Sequence, residues 1–289
     1  MGDSTEFDVV VVGSCNLDLV STTEHLPSPG ETLRAVTYAE HAGGKGLNQA
    51  VACARMGART ALIGCVGNDS AGQMLRELLN SEGIDTSQLI TVDAPTGRAF
   101  ITVDASGENT IVIVAGANAQ VGNTAITVPH TKVILAQLEI PLPAIAQVFA
   151  QAQDAIRVLN PAPATTLSTE LLALCDIAVP NETESTMLGG AQFLLGAGVA
   201  TVVTTLGERG AEISNATSTT PIAPYTVDAI DTVGAGDAFT GALCAEIARG
   251  KDIQRAAQIA SVAGALATTV RGAVPSLPMQ AAVMSLYAD

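Results

Sequence analysis

Basic residues are scarce in this sequence. Its 289 residues include 13 lysines and arginines against 28 aspartates and glutamates, a formal net charge of −15. A nucleic-acid or anionic-membrane surface needs an excess of positive charge, so we expect neither partner. A small anionic ligand is still compatible with this composition, because a few backbone amides and one local cation can hold a phosphate.

Cysteines are also few, and long apolar runs are missing. The five cysteines are scattered and form no C-x-x-C pair, which favours buried free thiols in a reducing cytoplasm over disulfides or a metal site. No apolar run reaches the roughly 20 residues of a membrane span. The start, MGDSTEF, is polar and acidic, unlike the basic start of a signal peptide. We therefore expect a cytoplasmic protein.

Short apolar runs, by contrast, are frequent, and 48% of the residues are hydrophobic, enough for a large core. Six runs read as strands buried on both faces: DVVVVGSCNLD, TALIGCVGND, KVILAQLEIP, IRVLNPAP, DIAVPNETE and TVVTTLGERG. Helical patterns lie between them. This alternation predicts an α/β fold with a doubly wound, mostly parallel central sheet flanked by helices.

Polar residues follow the ends of these predicted strands, where ligands bind in such sheets. They are Asn16, Asp18, Asn68, Asp69, Glu139, Asn160, Asn181, Glu184 and Thr205. Each one alone could be a turn former or a helix cap. Their shared position at one edge of the sheet favours a site there.

Two segments break the strand–helix alternation. Residues 31–42 and 97–114 have the two-residue period of strands, and the turn DASGEN inside the second segment predicts a hairpin. These segments could form a small antiparallel sheet apart from the main one. One face of such a sheet would need a ligand or a second subunit to cover it.

The stretch DTVGAGDAFTGA, residues 231–242, predicts an anion-binding helix start. Gly234 and Gly236 permit a tight turn with uncovered amides, and a helical pattern runs from Ala238 to Arg249. Asp237 lies in the first turn, either as a structural cap or as a base that accepts a proton from an attacking hydroxyl. Phosphoryl transfer needs alignment, neutralised charge and such a base.

Two further motifs carry polar groups into turns. HAGGKGLNQA, residues 41–50, fails the Walker A pattern because Gly46 follows Lys45. It is either a glycine turn that lets a polyol approach Lys45 and Asn48, or an ordinary turn before a helix. VPNETE, residues 179–184, ends a strand; Asn181 and Glu184 could act on Mg²⁺ through its waters or could cap the next helix.

Taken together, these motifs resemble the ribokinase family of carbohydrate kinases. Nine motifs occur in the family's order between about Val9 and Pro278: GSCNLD, PSPGET, GGKGLNQA, QLEIP, NPAPA, PNETE, TLGERG, DTVGAGD and GAVPS. The resemblance implies one domain over residues 1–289 and ATP-dependent phosphorylation of D-ribose at its 5-hydroxyl. GGKG-x-NQA, the N-x-D near the start and NPAP favour this substrate over adenosine or fructose.

Roles for individual residues follow from the resemblance alone. The catalytic set would be Asp237 as general base with the amides of Gly234, Ala235 and Gly236. Ribose would contact Asn16, Asp18, Gly44, Lys45, Gly46, Asn48, Glu139 and Asp237. ATP would contact Asn181, Thr205, Leu206, Gly207, Glu208, Arg209, Gly210, Gly236 and Ser261. Ser261 stands where relatives carry His or Asn beside the adenine.

The resemblance also implies ions, a lid and a dimer. Mg²⁺ would be held through water by Asn181 and Glu184. A K⁺ activator would lie among Asp231, Val233, Ala267, Val270, Gly272 and Ser276. A lid formed by about 16–42 and 97–114 would close over the site and form a homodimer contact. Two stretches, 117–132 and 186–198, are leaner in helix than the family pattern; we expect them to affect only the rim or stability.

Other functions remain to be weighed. A relative acting on deoxyribose or a nucleoside would be distinguished by the lid wall and by the contacts of Asp18 and Lys45, and the sugar contacts present here favour free ribose. A non-catalytic sugar sensor should have lost the base or the glycines, yet Asp237, Gly234 and Gly236 are present. An NAD-dependent enzyme should carry G-x-G-x-x-G after the first strand, where this chain has GSCNLD.

Overall fold

The structure, a computed structural model, describes residues 7–287; residues 1–6 and 288–289 of the predicted domain lie outside them. The strands are β1 (Phe7–Val12), β2 (Asn16–Thr22), β3 (Thr37–Gly43), β4 (Thr60–Gly67), β5 (Leu89–Val92), β6 (Gly97–Val103), β7 (Asn109–Val114), β8 (Thr131–Gln137), β9 (Ile156–Asn160), β10 (Ile177–Ala178), β11 (Thr201–Thr205), β12 (Ala211–Asn215) and β13 (Thr219–Ile222). The helices are α1 (Lys45–Arg55), α2 (Ser70–Ser81), α3 (Leu142–Gln151), α4 (Thr169–Leu172), α5 (Glu182–Met187), α6 (Ala191–Gly196), α7 (Ala235–Ala248), α8 (Ile253–Ala267), α9 (Ala273–Ser276) and α10 (Gln280–Tyr287).

Nine of the strands within residues 7–287 form the main sheet, in the order β13-β12-β11-β10-β9-β8-β1-β4-β5. The ladders from β11 to β5 are parallel, and β12 and β13 add an antiparallel edge. The predicted fold class is therefore confirmed. The carboxyl ends of the parallel strands lie at one edge of the sheet, as we predicted from the polar residues that follow them.

Strand β1 shows why the sheet has helices on both faces. Val9, Val10, Val11 and Val12 are all fully buried. Val9 and Val11 pack in a core with side chains of α1, α2, α7, α8 and α10. Val10 and Val12 pack in a second core with side chains of α3, α4 and α6. Alternate side chains point to opposite faces, so a continuous valine run needs an apolar layer on each side.

Helices α1 and α7 pack closely enough to bring their N-termini together. A Cβ added at Gly241 of α7 would lie 2.4 Å from Cβ of Ala52 of α1. Only glycine fits this approach without a shift of one helix. The contact places the first turn of α7, which carries Asp237, beside the first turn of α1, which carries Asn48.

A second sheet of four strands, within the described residues, has the order β3-β2-β6-β7. Its outer ladders are antiparallel, as predicted, and its central ladder, between β2 and β6, is parallel. Over residues 31–42 the strand begins only at Thr37, whereas the DASGEN hairpin forms as predicted, with the Asp104 carboxylate accepting from the amides of Ser106 and Glu108. Every residue of β7 is exposed.

The small sheet is joined to the main body at four short crossings. Strand β1 ends at Val12 and β2 begins at Asn16, while β3 ends at Gly43 just before α1. The second pair of crossings lies between β5 and β6, residues 92–97, and between β7 and the short 3₁₀ helix Gly116–Gln120. The small sheet therefore consists of two excursions of the chain, each returning close to where it left.

No helix within residues 7–287 is long and apolar enough to cross a membrane. The five cysteines, Cys15, Cys53, Cys65, Cys175 and Cys244, are all buried as free thiols. Their predicted packing role therefore agrees with the structure.

Candidate functional site

A polar cavity of about 220 Å³ opens where α7 begins, beside the last residues of β9 and β11. It collects side chains from motifs that are far apart in the sequence. The residues that line it are Lys45, Asn160, Ala162, Val179, Asn181, Glu184, Thr205, Thr232, Gly234, Gly236, Asp237 and Thr240.

The start of α7 presents uncovered amides to this cavity. Gly234 is the N-cap residue in the left-handed region (φ 80°), and the helix begins at Ala235, three residues earlier than predicted. The positive φ favours glycine at Gly234, and an added Cβ would also lie a tight 3.1 Å from Cα of Ala273. Within the described residues the amides of Gly236 and Asp237 donate to no acceptor. Uncovered amides at a helix N-terminus are the arrangement that anion-binding sites use.

The carboxylate of Asp237 lies in the first turn of α7 and is buried. Its Oδ2 accepts from Nδ2 of Asn48 at 2.9 Å. Its Oδ1 accepts from Nε2 of Gln49 at 2.8 Å. It caps no helix through its side chain. The cap interpretation of Asp237 is therefore wrong, and its two oxygens are instead held by amide donors from α1.

Gln49 is a site residue that the sequence did not reveal. It is fully buried, and its Nε2 also donates to Oδ1 of Asn160 at 2.8 Å. Its Oε1 accepts from Nε2 of Gln137 at 2.6 Å. A single glutamine after Asn48 in a helical stretch carries no spacing signal, so only the α1–α7 contact shows what it binds.

Lys45 begins α1 among carboxylates. Its backbone amide donates to Oε2 of Glu139 at 3.1 Å, and the hydroxyl of Ser14 donates to the same oxygen at 2.5 Å. Desolvation lowers the pKa of the Lys45 ammonium, but the carboxylates of Asp237, Glu139 and Glu184 together hold it above its ordinary value. Lys45 is thus a firmly charged cation at the cavity wall, and Glu139 also covers an amide at the start of α1.

Asn16 and Asp18 stand at the junction of the two sheets, on β2. Oδ1 of Asn16 accepts from Nδ2 of Asn118 at 2.7 Å. Asp18 packs against Gly43, where an added Cβ would lie 2.1 Å from Oδ2 of Asp18. Burial, with the nearby charges of Glu139 and Asp237, raises the pKa of Asp18 to about 7.

Asn118 corrects one expectation. We expected the lean stretch 117–132 to affect only the rim or stability. Instead, Asn118 is buried, and its side chain also binds the backbone of Cys15. It thereby holds the GSCNLD motif directly. The stretch 186–198 contains only the short helix α6 and the end of α5.

Asn181 and Glu184 form a capping box at the start of α5. Oδ1 of Asn181 accepts from the amide of Glu184 at 2.8 Å, and Oε2 of Glu184 accepts from the amide of Asn181 at 2.9 Å. This is the capping alternative left open by the sequence. Both residues still line the cavity. Within residues 7–287 no group of three His, Cys, Asp or Glu side chains could hold a metal ion.

The segment expected to contact ATP forms one turn at the end of β11. Thr205 lines the cavity and bridges to Asn181, while 207–209 form a 3₁₀ turn closed by Gly210. Leu206 through Gly210 and Ser261 lie outside the cavity lining. The Ser261 hydroxyl donates to the carbonyl of Ala223 at 3.2 Å.

The residues expected to bind a monovalent cation lie together behind the start of α7. Oδ1 and Oδ2 of Asp231 accept from the amides of Val233 and Gly272 at 3.0 and 2.9 Å. The Ser276 hydroxyl donates to the carbonyls of Ala273 and Val233 at 2.7 and 3.5 Å. Ala267 and Val270 are joined by a backbone hydrogen bond in the segment between α8 and Gly272.

Asn68 and Asp69 do not join this site. Asp69 caps α2 and binds Thr96, and both residues line a separate surface pocket. Their strand, β4, ends away from α7, so a strand end at the correct edge of the sheet is not sufficient to place a residue in the cavity.

Comparisons with known proteins bear on the family and the fold of this chain. Residues 6–280 match the sequence profile described as pfkB family carbohydrate kinase. A ribokinase of Staphylococcus aureus is 41% identical over 94% of this chain and 96% of its own. The structure of a ribokinase from Thermotoga maritima superposes with a TM-score of 0.92 at 33% identity, over 98% of this chain and all of that one. That of an Arabidopsis thaliana ribokinase complexed with ribose and ATP gives 0.88 at 30% identity, over 98% and 99% of the two chains.

Proposed function

The chain belongs to the pfkB family of carbohydrate kinases, and from this premise we propose that it transfers the γ-phosphoryl group of ATP to the 5-hydroxyl of D-ribose. The products are ribose 5-phosphate and ADP. The relatives named above are described as ribokinases, and one of them is complexed with ribose and ATP. The cavity of this chain contains a carboxylate, uncovered amides and a lysine that could serve this reaction.

The observation that carries the proposal is the position of Asp237. Its carboxylate lies one residue from the uncovered amide of Gly236, at the positive end of α7. A hydroxyl held between them could pass its proton to Asp237 as its oxygen attacks the γ-phosphorus. The bond from that phosphorus to the β–γ bridging oxygen of ATP breaks, and the amides stabilise charge on the transferring group.

The sugar would lie between α1, β2 and Glu139. Oδ1 of Asn48 is buried and has no hydrogen-bond partner among the described residues. A sugar hydroxyl would satisfy this acceptor, whose desolvation otherwise costs free energy. Lys45 donates from the cavity wall, and Asn16, Asp18, Gly44 and Gly46 complete the proposed contacts.

ATP would reach the same cavity from the side of Asn181 and Thr205. Its adenine and its nucleotide sugar would lie along Leu206 to Gly210 and Ser261. Glu184 and Asn181 each use one oxygen in the capping box. Oε1 of Glu184 is left to face waters around a nucleotide-bound Mg²⁺, which suits an ion that keeps much of its hydration shell. Bound Mg²⁺ would neutralise phosphate charge; Asn181 and Glu184 would orient its waters.

A K⁺ activator would be held by the cluster behind α7. Carbonyl oxygens of Val233, Ala267, Val270 and Gly272 and side-chain oxygens of Asp231 and Ser276 are the hard ligands that such a cation prefers. Gly234 packs directly on Ala273 of this cluster. A cation there would order the turn that carries the uncovered amides and add positive field beside it.

The small sheet would act as the lid and as a homodimer contact. Phe100 and the four residues 111–114 are large apolar side chains left exposed on it, and an exposed apolar edge strand is unusual in a monomer. Five free thiols and an ATP substrate suit a reducing compartment, and we propose the cytoplasm.

A coupled assay of ADP formation tests the function. The panel is ribose, deoxyribose, fructose, adenosine and no sugar, with Mg²⁺ and, in separate arms, K⁺, Na⁺ or Li⁺. We expect turnover selective for ribose and faster in K⁺. Selectivity for another sugar would contradict the assignment of ribose as substrate. Equal rates in the three salts would contradict the proposed K⁺ site behind α7.

A further inference from the structure

We propose that Gln49 is a positioning residue that fixes the orientation of the Asp237 carboxylate. The inference rests on the proposed function, because it concerns the group that takes the proton. Gln49 and Gln137 are fully buried, and Asn160 and Asp237 are nearly so. These four side chains form one hydrogen-bonded cluster between α1, α7, β8 and β9, which we term the amide cluster.

The direction of the amide cluster is fixed by the backbone. Nδ2 of Asn160 donates to the carbonyl oxygen of Val179 at 2.7 Å. A carbonyl can only accept, so Asn160 must present its Oδ1 to Gln49. Gln49 must therefore present Nε2 to Asn160, and the same nitrogen reaches Asp237. Its Oε1 then faces Nε2 of Gln137. A reversed Gln49 would set acceptor against acceptor at both Asn160 and Asp237.

The second amide on Asp237 lacks such an anchor. Asn48 donates through Nδ2 to Oδ2, but its own Oδ1 has no partner among the described residues. Among the described residues, Asn48 is therefore oriented through Asp237 itself, whereas Gln49 is oriented by Asn160 independently of Asp237. Gln49 is the donor whose orientation does not depend on the ligand. It holds Oδ1, and we assign Oδ2, which accepts only from Asn48 among the described residues, to the substrate hydroxyl.

The effect on turnover follows from geometry. A carboxylate freed from Gln49 can rotate about its side-chain bonds, which misaligns the accepting oxygen with the attacking hydroxyl. Misplacement of a reacting group by about 1 Å can cost on the order of 100-fold in rate. Sugar contacts through Asn16, Asp18 and Lys45 do not pass through Gln49. The loss should therefore appear in kcat more than in ribose affinity.

The test compares Gln49→Met with Gln137→Met. Both remove a fully buried amide of the same size, but Gln137 contacts Gln49 and not Asp237. We expect a larger fall in thermal stability for Gln49→Met, which breaks three buried hydrogen bonds, than for Gln137→Met, which breaks one. We expect kcat to fall about 10- to 100-fold in Gln49→Met and several-fold less in Gln137→Met, with ribose affinity, measured by calorimetry without ATP, retained in both. Equal losses of kcat in the two variants would overturn the inference.

Two further measurements separate positioning from general destabilisation. In an Asp237→Asn background, Gln49→Met should cost much less than it costs in the native chain, because both act on one group; full additivity would overturn the inference. Gln49→Glu keeps the side-chain size should the methionine variant fail to fold. Its protonated form can donate to Asp237 and its ionised form repels it, so its kcat deficit should widen as pH rises. A deficit independent of pH would count equally against the inference.

The proposed function can fail separately. If the native chain turns over none of the sugars, the substrate assignment is wrong. If it phosphorylates ribose and Gln49→Met does so at the rate of Gln137→Met, only the positioning role is wrong.

Discussion

Helix α7 and strand β7 are opposite in their exposure. From Asp237 to Ala248 every residue of α7 is buried, including the carboxylates of Asp237 and Glu246. From Asn109 to Val114 every residue of β7 is exposed, although four consecutive ones are large and apolar. One element holds polar groups inside, and the other leaves apolar groups outside.

The difference separates two requirements of a kinase site. Groups that stabilise a developing charge must be oriented beforehand and shielded from water, which burial within a packed layer provides. A cover over the substrate must open and close, which requires few buried contacts with the rest of the molecule. Helix α7 on the main sheet has the burial that the first requirement calls for, and the small sheet, as the proposed lid, would meet the second.

The largest expected effect on kcat comes from a substitution in the buried helix α7. Asp237→Asn removes the proposed base but keeps a side-chain oxygen for Gln49. Asn48 can turn its Oδ1 toward the new amide group and then present Nδ2 to the sugar hydroxyl. We expect kcat to fall by about 10²- to 10⁴-fold, with the thermal unfolding midpoint and ribose binding nearly unchanged. Steady-state kinetics and calorimetry measure these quantities.

A matched control for this variant is Asp252→Asn. Asp252 caps α8 by accepting from the amide of Arg255 at 2.8 Å, and asparagine caps equally well. Its kcat should match that of the native chain. Near-native turnover in Asp237→Asn would contradict the assignment of the base.

An intermediate effect is expected at Asp18, at the junction of the two sheets. Its pKa is raised to about 7, chiefly by burial, from about 3.9 in the unfolded chain. The protonated carboxyl therefore contributes stability that is fully present below about pH 4, falls as pH rises, and is lost once pH has passed through about 7. The unfolding free energy of the native chain should fall relative to that of Asp18→Asn over this range and level off above it. A pH-independent difference between the two proteins, measured by denaturant titration, would contradict the raised pKa.

The smallest effect on kcat is expected from a substitution in the exposed strand β7. Val112→Lys places a charge in the middle of the apolar edge strand β7, a substitution that blocks edge pairing. If β7 contributes the proposed dimer contact, sedimentation should show a shift to monomer, while kcat changes by only about threefold. Met187→Lys, at an equally exposed apolar residue of α5, should leave the oligomeric state as it is. A Val112→Lys protein that sediments like the native chain would remove β7 from the contact.

The regular parts of this fold were predictable from sequence. Buried strands are marked by β-branched runs such as Val9 to Val12. The order of the motifs predicted the family, and the comparisons confirm it. The parallel ladder between β2 and β6 was not predictable, because its partners are about 80 residues apart and pair only once both excursions have returned.

The candidate site was only partly predictable, for a similar reason. Asp237 and Lys45 stand in glycine-rich turns whose chemistry is local. Gln49 and Asn118 act through side-chain contacts to residues far along the chain, among them Asp237 and Asn16, which are 188 and 102 positions away. Amides at isolated positions have no spacing that distinguishes a site residue from an ordinary buried polar group. Asn181 and Glu184 fitted both a cap and an ion site by sequence, and the capping box became visible only with the hydrogen bonds.

The four crossings between the sheets have a consequence for how such a protein can diversify. Each excursion, 16–43 and 97–114, leaves and rejoins the main body within a few residues, the arrangement in which a segment can be exchanged with least disturbance to the rest. Asn16 and Asp18 travel with the first excursion, whereas Asp237, Gln49 and Asn160 stay behind. Grafting the small sheet of a relative would therefore replace the proposed sugar contacts of Asn16 and Asp18 and leave the proposed proton acceptor in place.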